Sequence, residues 1–155
     1  MILAAIAFAL ASNTFVANTT LPKSTVYAPC GGANRSPELH WRGAPRGTRS
    51  FALVTFDPDT TGGWYHWVAY NIPSATHELP EAAQLPAAER GLTSFKERSY
   101  GGACPPPGKV HHYIFTLYAL SVSSAGAPGL TGPQLLAKIR RDVLGTATIT
   151  GFYQR

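Results

Sequence analysis

The sequence predicts a mostly β domain that carries one amphipathic helix near its C-terminus, and three observations predict it. Aromatic residues are numerous, with 7 Phe, 7 Tyr and 3 Trp, and many of them fall in short apolar runs rich in β-branched side chains, a composition that suits a pleated, well-buried surface. Fifteen Gly and 13 Pro are spread without a repeating period, so turns punctuate those runs at irregular intervals. Charged residues make up 14% of the chain against 45% hydrophobic, where globular chains carry about 25% charged. Apolar surface is therefore sufficient for a core, which excludes a disordered chain.

From the N-terminus, Met1–Leu10 is apolar and rich in small residues, as a secretory leader is, yet it lacks the basic segment that opens one. Phe8, Leu10 and Phe15 read equally well as part of a first strand. Neither this stretch nor any other approaches the roughly 20 apolar residues a membrane-spanning helix needs, so the chain does not read as an integral membrane protein. Strands are expected at Ser50–Phe56, Tyr65–Ile72, Tyr113–Val122 and Thr146–Tyr153. Breaker clusters at Asp57–Gly63, Pro73–Gly91 and Tyr100–Lys109 separate them as loops, with room for one helical turn at Glu81–Leu85 between Pro80 and Pro86. The helix is expected to open near Thr131, with Pro133 in its first turn, and to run to Leu144 before Gly145 ends it. Leu135, Ile139 and Val143 recur every four residues, which gives the helix one apolar face to lay on a sheet.

At 155 residues the chain fits one domain. Its formal charge of +5 comes from bases scattered along the sequence, a solvated basic surface with no nucleic-acid footprint. Cys30 and Cys104 are the two cysteines, too few for a metal finger, which leaves two thiols or one long-range bridge. There is no G-x-S-x-G elbow, no H-E-x-x-H helix and no phosphate-binding G-x-x-x-x-G-K-[ST] loop.

Chemistry is instead concentrated at strand ends, in Asp57-Pro58-Asp59, in Gly63-Trp64-Tyr65-His66-Trp67, and in Gly101-Gly102-Ala103-Cys104-Pro105-Pro106-Pro107-Gly108 followed by His111-His112-Tyr113. On a strand His111 and Tyr113 point to one face and His112 to the other. The Gly-Gly pair allows a ligand to approach backbone, and the proline run fixes a wall behind it. An imidazole beside an Asp carboxylate is held in one tautomer and favours the cationic form that binds anions, while a tyrosine hydroxyl adds a neutral donor.

Read in order, these segments resemble the phosphatidylethanolamine-binding protein family, and within it the bacterial Raf-kinase-inhibitor-like branch. The likeness starts at Cys30-Gly31-Gly32-Ala33-Asn34-Arg35-Ser36-Pro37-Glu38-Leu39-His40-Trp41 and passes through Gly47–Leu53, Asp57-Pro58-Asp59 and Trp64–Pro73. It resumes at Tyr100–Gly108 and His111–Phe115 and ends in Tyr153-Gln154-Arg155. It covers roughly residues 8–155, one domain, and leaves Met1–Ala7 as the remnant of a leader, too short to work as one.

The resemblance implies a β-sandwich with a large central antiparallel sheet, a smaller sheet, and one or two helices near the C-terminus. It implies a pocket for phosphate-like groups formed by Asp57, His66, Pro106, His111 and Tyr113, rimmed by Asp59, Trp64, Gly101 and Gly102. It also brings the segments of Cys30 and Cys104 together, so that an exported protein would form one disulfide. The expected function is non-enzymatic binding of phosphate, a phosphorylated small molecule or a lipid headgroup, with no cofactor and no metal. Two alternatives are a protein-interaction module that inhibits a kinase or protease through Thr60–Gly63 and Pro105–Lys109, and a metal-dependent hydrolase built on His66, His111 and Asp57. Self-association as a homodimer stays open. The compartment is periplasmic or extracellular if a full leader precedes the chain and cytoplasmic otherwise. The sequence departs from the family pattern at Thr60-Thr61 and at Thr93-Ser94-Phe95-Lys96, where rim contacts are expected to differ, and at Arg141-Asp142-Val143-Leu144, which replaces a more usual Gly-His-Val-Leu so that the role of that histidine does not carry over.

Overall fold

A computed structural model describes residues 5–155. Its strands are β1 (Ala9–Ala11), β2 (Leu39–Arg42), β3 (Ser50–Asp57), β4 (Trp64–Pro73), β5 (Glu78–Leu79), β6 (His111–Leu120) and β7 (Val143–Tyr153), with one helix, α1 (Gly132–Ile139), between β6 and β7. The strands form two antiparallel sheets, a larger one in the order β4-β3-β6-β7 and a smaller one in the order β1-β2-β5. The mostly β class and the two-sheet architecture expected above are therefore what the chain adopts.

The larger sheet is covered on both faces. On β3, Phe51 and Leu53 join a core shared with Leu10, Leu39, Trp41 and Leu79 of the smaller sheet. Ala52 and Val54 point the other way, into a second core closed by Leu135 and Ile139 of α1. A strand buried on both sides has no polar face to show, which is why Ser50–Phe56 reads as an unbroken apolar run. By contrast β2 and β5 are short and carry His40, Arg42 and Glu78, so no apolar run marks them. The first strand lies within the expected Phe8–Ser12 segment. Of the stretch read as a leader remnant, Met1–Ala4 lie outside the described residues and Ala5–Ala7 precede β1 without regular structure.

Two local expectations need correction. The helix ends at Ile139 and does not reach Leu144. Its start is well specified: Thr131 accepts from the Gln134 N–H while the Gln134 side chain takes the Thr131 N–H, with Pro133 in the first turn. After Ile139 a turn closes as the Asp142 N–H donates to the Ile139 carbonyl at 2.7 Å, and Val143 then enters β7 opposite Leu120. Val143 packs against the same core as Leu135 and Ile139, so its four-residue spacing reported burial correctly while the backbone had already become a strand. The second correction concerns Glu81–Leu85, which makes no helical turn. Ala82 there adopts φ +56°, and the 3-10 turn comes later, at Ala87–Glu89, directly after Pro86.

No helix among the described residues is long and apolar enough to cross a membrane. The helix boundary has a direct test. Ile139, 1% exposed, should cost about 2–5 kcal/mol when replaced by Ala. Leu144→Ala, at a position 42% exposed, should stay within about 0.5 kcal/mol. Urea midpoints of the two variants give the comparison, and equal losses would contradict the boundary.

Candidate functional site

The larger sheet ends in a cluster of polar and aromatic side chains, and strand register explains how they meet. β3 pairs with β6 so that Phe56 lies opposite Ile114, which brings the next residue, Asp57, alongside Tyr113. His111 and Tyr113, two apart on β6, are both buried, whereas His112 between them is exposed, as alternation requires. His66 arrives differently. β4 pairs Trp67 with Thr55 and Tyr65 with Phe56, and the register slips between them, so His66 is the extra residue of a β-bulge. Bulges re-aim side chains. This one brings His66 beside Tyr113, ring centroids 5.0 Å apart, edge to face.

Asp57, 2% exposed, is satisfied by its own chain. Its Oδ1 accepts from the backbone N–H groups of Asp59 at 2.8 Å and Thr60 at 3.3 Å, and its Oδ2 accepts from the Thr60 hydroxyl at 2.9 Å and from His111 Nδ1 at 2.7 Å. A carboxylate can only accept here, so Nδ1 of His111 carries the hydrogen. His66 is fixed in the same tautomer by a different partner, donating from Nδ1 to the Gly101 carbonyl at 2.7 Å. Burial pushes the His66 imidazole below its ordinary pKa, outweighing the opposite pulls of the Gly101 carbonyl and the Asp57 charge. The expected cationic imidazole is thus corrected for His66, which is neutral near pH 7 and presents Nε2 as an acceptor. The buried Tyr113 hydroxyl gives its hydrogen to no protein acceptor, and burial followed by the nearby Asp57 charge pushes its pKa up against the opposing pull of the Cys104 N–H, so it stays a neutral donor.

These groups border a cavity of about 250 Å³. Asp57, Thr60, His66 and Tyr113 supply its polar surface, Tyr27, Trp64 and Phe95 its aromatic walls, and Cys104, Pro105 and Pro106 the remaining side. Phe95 holds the aromatic side together: its ring centroid lies 4.7 Å from Tyr27, 5.4 Å from Trp64 and 5.4 Å from His66.

Several residues expected at the pocket stand elsewhere. His111 does not line the cavity but lies behind Asp57 and orients it. Asp59 turns away to accept from the backbone and the Nδ1 of His112 at 2.7 and 2.9 Å, hydrogen bonds that hold its carboxyl below the usual range. Gly101 and Gly102 do not expose backbone to a ligand. Their N–H groups bond the His66 carbonyl and Asn34 Oδ1. A side chain at Gly101 would strike the Phe95 ring, and one at Gly102 would strike the backbone of Thr25–Tyr27. The glycines serve close packing of the chain on itself. Pro106 is on the exposed rim, while Pro105 is the buried wall residue.

Tyr27 and Phe95 were not singled out as pocket residues by sequence reasoning. Phe95 is the one residue of Thr93-Ser94-Phe95-Lys96 that keeps the family pattern while its neighbours depart from it, and that retained aromatic is a usable signal. Tyr27 sits in an irregular segment held by its N–H to the Ala103 carbonyl at 3.0 Å, and no local pattern announces it. Cys30 and Cys104 have their Sγ atoms in contact and Cα atoms 5.7 Å apart, inside the span of a disulfide. Arg155 points a guanidinium nitrogen at both sulfurs and at the Pro105 carbonyl, tying the end of the chain to the cavity loop. Among the described residues no group of three or more His, Cys, Asp and Glu side chains is arranged to hold a metal ion.

The fold and this site define a two-sheet β protein with a small polar and aromatic cavity at one end of its larger sheet. The chain belongs to the phosphatidylethanolamine-binding protein family, whose model matches residues 11–154. It is 39% identical to a UPF0098 protein of Aquifex aeolicus over 93% of this chain and 86% of that one. It is likewise 39% identical to the UPF0098 protein YbcL of Escherichia coli over 97% and 89%. The crystal structure of Escherichia coli YbcL, described as a new member of the mammalian PEBP family, superposes with a TM-score of 0.89 over 96% of this chain and 98% of that one. The structure of the homologue CT736 from Chlamydia trachomatis superposes with a TM-score of 0.86 at 34% identity, over 96% and 98%.

Two outcomes test the site. A bridge between Cys30 and Cys104, 74 residues apart, should stabilise by about 4 kcal/mol. The oxidised protein should weigh two hydrogens less than the reduced one and unfold at higher urea, and equal midpoints would argue against the bridge. Because the folded pKa of His66 lies below its ordinary 6.5, the unfolded chain binds the proton first on acidification. Stability should fall as pH drops below about 6.5 until the folded value is passed. His66→Asn should flatten that part of the stability–pH curve, and an unchanged curve would refute the assignment.

Proposed function

We propose that the cavity is a non-enzymatic binding site for the phosphate of a small phosphorylated molecule or lipid headgroup. The observation that carries this reading is the buried Tyr113 hydroxyl, a donor left without a protein partner at the border of a cavity. A buried unpaired donor is costly, and an acceptor oxygen on a ligand removes the cost. Family membership supports the same ligand class.

No lysine or arginine lines this cavity, so the manner of binding differs from a cation clamp. Four donors from the chain surround Asp57. His66 offers Nε2 as an acceptor, so a phosphate group enters carrying a proton for that nitrogen to accept as a hydrogen bond, or protonates His66 as it binds. A phosphomonoester dianion carries no proton of its own, so either route takes one up from solution, whereas the dianion of inorganic phosphate already carries one. Affinity for a phosphomonoester should therefore tighten as pH falls from 8 to 6, by at most about tenfold per unit.

Titration calorimetry with glycerol 3-phosphate in buffers of different ionisation enthalpy measures both affinity and proton uptake. Tyr113→Phe should weaken binding by the worth of one neutral hydrogen bond, about 0.5–1.5 kcal/mol or roughly two- to twelvefold. Unchanged affinity in Tyr113→Phe together with absent proton uptake would overturn the reading.

One observation favours a second reading, inhibition of a kinase or protease through surface loops. Thr60 and Pro106 belong to two loops that border the same cavity, and both loops carry exposed residues, Thr61 and Gly62 on one and Pro107–Lys109 on the other. A partner complex that persists in saturating phosphate would establish it.

A further inference from the structure

A second cavity, of about 200 Å³, shares no lining residue with the first. Its floor is apolar, with Trp67, Val68 and Leu85 each less than a tenth exposed. Its polar surface includes Arg90, Arg98 and Ser36, and no acidic residue lines it. Three acids stand one residue from the lining, Glu81, Glu89 and Glu97; Glu81 is engaged by Arg35 at 3.7 Å. Among the described residues neither Arg90 nor Arg98 pairs with a carboxylate.

The Arg90 guanidinium is held in place, and the exposed Arg98 packs beside it on the same loop. Arg90 donates from Nε to the Leu85 carbonyl at 2.6 Å, which orients its fork while leaving both terminal nitrogens without a protein acceptor. Its carbonyl accepts the Gly129 N–H at 2.9 Å. The Arg98 guanidinium rests on that same glycine, which has φ +91°, and a Cβ there would come within 2.7 Å of Arg98 Nη2. One loop thus anchors both arginines. Ser36, 3% exposed, accepts the Ala83 N–H at 3.1 Å, and its own hydroxyl hydrogen goes to no protein acceptor. Two like charges around a small cavity repel each other, and an anion between them relieves that repulsion. An arginine fork with free terminal nitrogens matches the paired oxygens of a carboxylate or phosphate. A volume of this size corresponds to six or seven waters at about 30 Å³ each, which limits the occupant to a small molecule.

We propose that this cavity is an oxyanion site that takes a small carboxylate or phosphate compound, gripped by Arg90 and Arg98 with Ser36 as a neutral donor. The site stands apart from the Asp57–Tyr113 cavity and does not depend on what that cavity binds.

The test titrates citrate, succinate and inorganic phosphate separately into the full chain and into Arg98→Gln, Arg90→Lys and Tyr113→Phe, by calorimetry. Arg90→Lys keeps the charge and removes the fork. Arg98 is exposed, so Arg98→Gln leaves the fold intact, which melting of the unliganded variant verifies. At least one of the three anions should show a binding component that loses about tenfold or more in affinity in either arginine variant, and that component should persist in Tyr113→Phe, whose effect falls on the separate Asp57–Tyr113 cavity. Binding by citrate or succinate would assign carboxylates as the occupant, and binding by phosphate alone would assign phosphate. No binding at millimolar concentration overturns the proposal. So does affinity retained in both arginine variants, or an equal loss in Tyr113→Phe, which would place the anion in the other cavity.

Discussion

Asp57 is the constraint on which the site depends. A carboxylate at 2% exposure costs several kcal/mol in lost hydration unless donors surround it. The chain meets that demand by closing a turn immediately after β3, where the Asp59 and Thr60 N–H groups and the Thr60 hydroxyl converge on the carboxylate. The turn sets where β3 stops and how the loop toward β4 departs. The fourth donor, His111, comes from the neighbouring strand and ties the start of β6 to the end of β3. Tyr113 sits beside this pair because of strand register, and its hydroxyl is the one group of the cluster the chain leaves unsatisfied. The polar cluster is therefore mostly self-contained, with the Tyr113 hydroxyl as its open donor and the Nε2 atoms of His66 and His111 as acceptors that receive no hydrogen from the described residues.

The opposite wall is built from the loop around Tyr100–Gly102, and there the governing requirement is close backbone packing. Gly101 gives up its carbonyl to His66 and its side-chain volume to Phe95, while Gly102 lies against Thr25–Tyr27. Asn34, in the left-handed region at φ +52°, clamps the loop from behind by accepting the Gly102 N–H at 2.7 Å and donating to the Tyr100 carbonyl at 3.4 Å. Asn tolerates that backbone conformation better than most residues. The same Asn34 and Tyr100 line the second cavity. The loop thus backs the first cavity, where its glycines support His66 and Phe95 without lining the space, and lines the second through Tyr100.

Much of this was legible in the sequence, and what was hidden follows from geometry. Strands with continuous apolar runs, Ser50–Phe56 above all, were readable because burial on both faces leaves no ambiguity of composition. The pairing of His111 with Tyr113 on one face followed from alternation alone. His66 was visible as a residue and invisible in its placement, since a bulge is a register slip between two strands and leaves no mark in one of them. The end of α1 was misplaced because Val143 lies in the same core as Leu135 and Ile139, and a spacing of four does not reveal that the backbone has changed. Tyr27 could not be found at all: its place in the wall is set by the contact of its segment with Ala103, more than 70 residues away.

The two glycines show where residue chemistry misleads most easily. A Gly-Gly pair beside histidines suggests backbone offered to a ligand, yet here every open approach is filled by the protein itself. That result changes what the first cavity can do. With Gly101 and Gly102 closed, His111 behind the wall and Asp59 turned outward, the groups left facing the space are a neutral imidazole acceptor, a neutral hydroxyl donor, a shielded carboxylate and three aromatic rings. Such a surface recognises shape and hydrogen-bond pattern more than net charge, although the chain as a whole carries +5. The positive charge resides elsewhere, and at the second site two arginines that pair with no carboxylate among the described residues line one cavity. The division follows from the donors that gather around Asp57, since a cation placed among them would compete for a carboxylate that the fold already uses to hold two strands together.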